Sequence, residues 1–505
     1  MLEPNYTRIV STVRKRLGLM QSIVEVNLPI GEHGVKEVYS IGAQSTVIKS
    51  DVSGNNISFV GLVDFQAIIG GENSNLSAVD YSAEFKDNFV ADKEIRGEVV
   101  FNTNVIDVVS QVIVSGVKVT AIVETQIDLI ESNDVSVLVS TGGDVECTTR
   151  ELSYMTYVGK ATEKFDVTDE INISGADKVY MATPSVCLLN IMPKSNYLIV
   201  SGVLNLDICY GNGDDISSIC MHNQAVDFSW EVALDEIKED SYIQSSLSIL
   251  FNEIKLATVV EDGGVVVNVV VPINYTGYVF KNNTINVIDD LYSKGNFISI
   301  TSEEIKSIKN KQSLKFNDNI SGVASVGDNA PFIDDVLGVT TSNIIVANSF
   351  IRDNELVVEG IVTSNVLYYT KDTLSITAVK VEMPFIVEKK TDGGACDIVT
   401  INLCDVSVKS RRGKEIEVSA EMSVFVDVYC VNESCVISEV QLGGERPKDD
   451  CSLYVYIVKQ NQTLWDIAKE MCVSESDILD QNPNMQLPLV AGEKIVIYNP
   501  KIMVF

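Results

Sequence analysis

The sequence predicts a mainly β protein: three tandem β-rich repeat domains, sandwich or barrel-like, followed by a small α+β domain ordered strand, helix, helix, strand. Three observations carry this. Long stretches alternate apolar and polar residues, a glycine-centred strand trailed by an aromatic residue recurs three times, and the C-terminal stretch changes to a helical period.

The chain of 505 residues is 46% hydrophobic, enough for about three or four domains with cores of their own. Its 38 basic residues face 70 acidic ones, for a formal net charge of -32. Such a balance disfavours nucleic acid and anionic membranes and suits either a basic protein partner or plain solubility. The N-terminal residues carry no apolar signal core, and no apolar stretch is long enough to span a membrane, so a cytoplasmic location is expected. Ten cysteines are scattered without a CxxC and the histidines number two, so no zinc site is expected. The cysteines read as reduced and mostly buried.

The first repeat begins with NNISFVGLVDFQAII (55–69), centred on Gly61 and followed by Phe85. Its long alternating run places Val117, Val119, Ala121, Val123, Ile127 and Leu129 on one face. The second has SNYLIVSGVLNLDICY (195–210), with Gly202, Phe228 and a run through Val265, Val267, Val269, Val271, Ile273 and Tyr275. The third has DNELVVEGIVTSNVLYY (353–369), with Gly360, Phe385 and a run from Ile416 to Val428. A glycine inside a strand marks a bulge or a close approach of another group. The runs are long for single strands, so each is expected to bend or to serve two sheets. The glycines lie 141 and 158 residues apart, which divides the chain into domains at 1–150, 151–300 and 301–442. A linker at 443–453, rich in glycine and charge, precedes a last domain at 454–505.

In that last domain a strand at 454–459 leads into NQTLWDIAKEM (461–471). Thr463 with Asp466 has the spacing of a capping box, and Leu464, Ile467, Ala468 and Met471 form a helical stripe. Ser474 with Asp477 starts a second helix, with Ile478 and Leu479 facing inward, and Lys494–Tyr498 closes as a strand. Trp465 reads as a core residue packed across the first helix onto neighbouring strand residues, ligand stacking being the alternative. As a core residue, its loss would unfold so small a domain.

The stretches YIVKQNQTLWDIA (456–468), Asn482-Pro483-Asn484 and GEKIVIY (492–498) resemble the LysM domain. The resemblance implies a two-stranded sheet with two helices on one side, and binding of N-acetylglucosamine polymers in a shallow groove. Carried over, that groove would use Asn461, Gln462 and Thr463 on one side and Asn482, Asn484, Met485 and Gln486 on the other. Where the family usually carries Gly-Asp, this chain has Asn461-Gln462. Asparagine can take the left-handed backbone of a glycine, but the missing aspartate alters the acceptor pattern and moves the expectation toward a protein partner.

The glycine-centred strands, the long runs and one C-terminal LysM together resemble a family of clostridial sporulation proteins built from SPOCS domains. The resemblance implies a non-enzymatic scaffold in spore envelope assembly, in the mother cell at the forespore surface. Its partner would be the spore coat morphogenetic ATPase or other coat proteins. The alternative is a peptidoglycan-binding protein that uses the LysM groove on a glycan polymer. No catalytic constellation, phosphate-binding loop, metal or cofactor motif is found. His33 and His222 have no nucleophile in a known setting beside them.

Overall fold

A computed structural model describes residues 3–28, 34–71, 76–114, 116–213, 218–235, 237–261, 263–327, 330–371, 375–392, 394–447 and 453–498. His33 lies outside them. The first set of strands is β1 (Glu3–Leu28), β2 (Val35–Ser53), β3 (Asn56–Gly71), β4 (Leu76–Val90), β5 (Glu98–Ile113) and β6 (Gly116–Gly142). The second is β7 (Val145–Ser174), β8 (Lys178–Lys194), β9 (Tyr197–Gly211), β10 (Cys220–Ala233), β11 (Tyr242–Ile249), β12 (Lys255–Glu261) and β13 (Gly264–Ser293). The third is β14 (Asn296–Ser325), β15 (Ile333–Arg352), β16 (Glu355–Thr370), β17 (Ile376–Lys390), β18 (Ala395–Ser410) and β19 (Glu415–Glu445). A short unit follows: β20 (Leu453–Ile457), α1 (Leu464–Met471), α2 (Glu475–Gln481) and β21 (Lys494–Tyr498). Strand β19 thus covers the first residues of the stretch read as a linker, and 448–452 lie outside the described residues.

One strand order recurs. Sheet β1-β6-β5 accompanies β2-β3-β4, and β14-β19-β18 accompanies β15-β16-β17, all antiparallel. In the second set β10-β9-β8 accompanies a sheet in which β13 pairs β7 along one edge and β11 and β12 along the other. Period two explains each core: the alternating apolar residues of β6, β13 and β19 are almost wholly buried. Those of β6 pack with Ile57, Phe59, Val63 and Phe65 of β3, and those of β19 with Leu356, Val358 and Val362 of β16.

The recurrent glycine and aromatic are cross-strand neighbours. Gly61 stands opposite Phe85, Gly202 opposite Phe228 and Gly360 opposite Phe385. The ring lies over the glycine. A Cβ at Gly202 or Gly360 would come within 2.5 or 2.6 Å of the phenylalanine Cζ, closer than carbon atoms can approach. On the other neighbouring strand a register shift begins at the partner of each glycine, at Val47/Lys49, Leu188/Asn190 and Val346/Asn348. Both expectations for a strand glycine are therefore met in one place, a close approach on one side and a bulge on the other.

The long strands outrun these cores. The distal parts of β6, β13 and β19 continue as two-stranded ribbons with β1, β7 and β14. A lone ribbon is marginal in water, and the three bury their apolar residues against one another. Ile9, Val137, Leu152, Val287, Ile305 and Val436 form one cluster, and Leu138, Ile288, Leu291, Ile437 and Val440 the next. The alternating runs themselves each stay within one sheet, and it is the strands carrying them that continue past the runs as ribbons.

Between cores and ribbons lies a polar junction. Arg14 of β1 holds Asp128 of β6 through Nε (3.1 Å) and Nη2 (2.7 Å), and its Nη1 donates to Gln244 Oε1 of β11 (2.5 Å). Gln244 Nε2 donates to the Tyr242 hydroxyl (3.3 Å), which in turn bonds Asp427 of β19, and Ser313 of β14 donates to Asp427 as well (3.2 Å). All three sets of strands meet in this network.

The thiols depart from expectation. Cys187 of β8 and Cys404 of β18 are joined as a disulfide between the second and third sets. Of the six described free cysteines only Cys209 is buried, while Cys147, Cys220 and Cys435 are exposed. Alternation puts these three on outward faces, which spacing along the sequence alone did not convey.

A LysM module docked on a strand end

The C-terminal unit is built around its turns. Asn461 takes φ 60°, the left-handed turn that a glycine would provide. Thr463 then caps α1: its hydroxyl accepts from Asp466 N (3.2 Å) while its own N–H donates to Asp466 Oδ2 (2.8 Å). Ser474 and Asp477 repeat this box at α2. The Asp466 carboxyl is held below its ordinary range by the Thr463 N–H and hydroxyl. Leu464, Ile467, Ala468, Val473, Ile478, Ile495 and Ile497 form the core. Met471 is half-buried and Leu479, expected to face inward, is 39% exposed. In a helix as short as α2 the buried stripe is one residue wide, and Ile478 fills it.

Trp465 is half-buried and does not pack only within the unit. Its ring meets Tyr292 of β13 edge-on with centroids 5.0 Å apart, and Nε1 donates to Asp290 Oδ2 (2.9 Å). Lys469 Nζ reaches both Asp290 oxygens (2.7 and 2.6 Å), and the Tyr292 hydroxyl donates to the buried carbonyl of Val473 (2.5 Å). Trp465 packs against the small core, and beyond what the sequence suggested it also joins the unit to the end of β13. Asp290 and Tyr292 were missed, because nothing near them in sequence connects the end of a long strand to a helix almost two hundred residues on.

The predicted groove residues divide into two kinds. Asn461, Asn484 and Gln486 are exposed. The others are engaged by the fold. Gln462 accepts from Lys459 N (3.1 Å) and donates to the Tyr456 hydroxyl (2.7 Å) and Glu470 (3.2 Å). Asn482 accepts from Val496 N (2.9 Å) and donates to Val496 O (2.7 Å) and Ile478 O (2.8 Å), tying β21 to α2. Met485 leans on the core. The docking contacts arise from α1, the turn after it and Asp477 of α2, which pairs with Lys294 (3.9 Å), whereas the groove residues lie on the loops before α1 and after α2.

Elsewhere, a cavity of about 80 Å³ where the three sets meet is lined by Asp64, Gln66, Thr183, Phe251, Asn365 and Lys380 among others. It is well below the roughly 300 Å³ of a small-molecule site. Among the described residues no group of histidine, cysteine and carboxylate side chains is arranged to hold a metal ion. No helix among them is long and apolar enough to cross a membrane.

Residues 456–497 match the LysM domain family. No curated protein and no solved structure matches the chain. The C-terminal unit is therefore a LysM domain, a binding module and not a catalytic one, carried at the end of a protein that is mostly β.

Proposed function

We propose that this is a non-enzymatic binding protein whose LysM domain engages an N-acetylglucosamine-containing polymer such as peptidoglycan. The observation that carries this reading is the match over 456–497, with Asn461 in the glycine-like conformation and Asn461, Asn484 and Gln486 exposed on the two loops. Exposed amides of this kind hydrogen-bond sugar hydroxyl and acetamido groups. The test is co-sedimentation of the full chain with insoluble peptidoglycan. Asn484→Ala with Gln486→Ala should weaken retention about tenfold, as the loss of one or two hydrogen bonds implies, and leave melting unchanged. Unaltered retention would remove these loops from the site.

A second reading is favoured by Gln462, whose side chain is tied back to Tyr456 and Glu470 at the position where the family usually has an aspartate. On that reading the module binds protein. The three sets of strands are then SPOCS-like repeat domains near 1–150, 151–300 and 301–442, and the chain is an adaptor in spore envelope assembly. It recruits the spore coat morphogenetic ATPase at the forespore surface in the mother cell. Capture of that ATPase by the full chain, with no retention on peptidoglycan, supports this reading over the first.

A further inference from the structure

β12 has no equal among the strands in corresponding positions. In the first set β5 runs beside β2, and Thr103 donates to the Ser45 carbonyl (2.9 Å); in the third set β18 runs beside β15. In the second set this position is split into β11 and β12 by a 3-10 turn at Phe251–Glu253. All seven residues of β12 are exposed, with Leu256 at 40%, Val259 at 51% and Val260 at 64%. One edge pairs with Gly264–Val270 of β13; among the described residues no strand pairs the other. An apolar edge with free backbone groups is a template for another strand.

The strand reads KLATVVE, and its charges say which strand fits. Laid antiparallel on a second copy about Thr258, Lys255 falls opposite Glu261 at both ends, Leu256 opposite Val260, and Ala257 opposite Val259. Opposite charges or apolar pairs face each other at every position except the centre, where Thr258 meets Thr258. A parallel arrangement would instead set Lys255 against Lys255 and Glu261 against Glu261. Among the described residues neither Lys255 nor Glu261 is ion-paired within the chain. We propose that two copies of this chain associate through β12, antiparallel about Thr258, joining their β7-β13-β12 sheets across a two-fold axis.

The test is sedimentation velocity of the full chain over a concentration series at moderate salt, since each copy carries a net charge of -32. Wild type should show a concentration-dependent dimer. Lys255→Glu and Glu261→Lys should each weaken it about tenfold, because each sets like charges opposite one another twice. The double swap Lys255→Glu/Glu261→Lys should restore it. With the exposed Cys147, Cys220 and Cys435 replaced by serine, Thr258→Cys should yield a covalent dimer on mild oxidation, since directly opposed Cα atoms about 4.5–5.5 Å apart lie within disulfide reach, and the same background with Thr258 kept should not. A chain that stays monomeric throughout overturns the proposal. So does a dimer indifferent to the single swaps, a double swap that fails to restore, or no cross-link through position 258. All of these side chains are exposed, so a circular dichroism melt equal to wild type confirms that the variants fold.

Discussion

Asp290, where the LysM domain meets β13, and Asp427, where the three ribbons leave their cores, are the same residue treated in opposite ways. Burial works against the Asp290 carboxylate, but hydrogen bonds from Lys469 and Trp465, with the Lys469 charge, outweigh it and hold the carboxyl below its ordinary range. Burial prevails at Asp427, whose carboxyl is pushed up to about 6 despite the Tyr242 and Ser313 hydroxyls and the Arg14 charge. The first carboxylate is a clamp and the second a cost. A depressed pKa contributes stability that is present above the unfolded value, about 3.9, and is lost as pH falls through the folded one. A raised pKa makes the ionised group a penalty above about 6, relieved as pH falls toward about 4. Mild acid should tighten the ribbon junction before stronger acid releases the LysM domain.

The largest effect should come from the partner that makes the junction tolerable. Arg14→Ala leaves Asp128, only 4% exposed, with no cation nearer than Arg16 Nε at 3.8 Å, and breaking so buried a pair costs about 3–5 kcal/mol. Chemical denaturation of the full chain measures it. A loss below about 1 kcal/mol would mean that water replaces the guanidinium and that the junction is wet.

Trp465→Ala tests the clamp. It removes the ring from Tyr292 and the donor from Asp290, at about 2–3 kcal/mol for a half-buried indole. Amide exchange in α1 and α2 should quicken while the β cores keep their protection. Cooperative unfolding of the LysM domain alone, with Tyr292 left protected, would return Trp465 to the role of a core residue.

Asp427→Asn should stabilise the protein at neutral pH by about 1–3 kcal/mol, because the amide avoids the cost of an ionised, poorly solvated group. The gain should shrink as pH falls through about 6. A gain independent of pH would place the effect in packing and remove the contrast with Asp290.

These differences mark what could be read from sequence. Strict alternation names the buried faces of β6, β13 and β19 because a strand with one wet face has period two, and every residue so identified in the three runs is buried. The glycine and phenylalanine were visible as a recurrence; their contact became clear only with the register. The ribbons were not legible. Past Leu129 the alternation fails, as Val137 and Leu138 are consecutive and both buried, one against each neighbouring layer. In the LysM domain the capping boxes and the Asn461 turn are local and were legible. The dock was not, since Trp465, Lys469, Asp290 and Tyr292 are joined only by the tertiary fold.

The smallest expected effect separates the module from its mounting. Thr463→Ala removes the hydroxyl that accepts from Asp466 N but leaves the Thr463 N–H bonded to Asp466, so the cap is halved and not abolished. The cost should be about 1 kcal/mol, confined to the first turn of α1. Because the hydroxyl also donates to Asp466 Oδ2 (2.7 Å), the variant should let that carboxyl titrate nearer its ordinary range. Carbon-detected NMR titration of Asp466 would show the shift, with the Asp290 titration unmoved as the internal reference. If both move together, cap and dock are one cooperative element, and α1 transmits what happens in the groove loop to β13. If only Asp466 moves, the dock is indifferent to the groove, and a ligand there can bind without loosening the module from the protein that carries it.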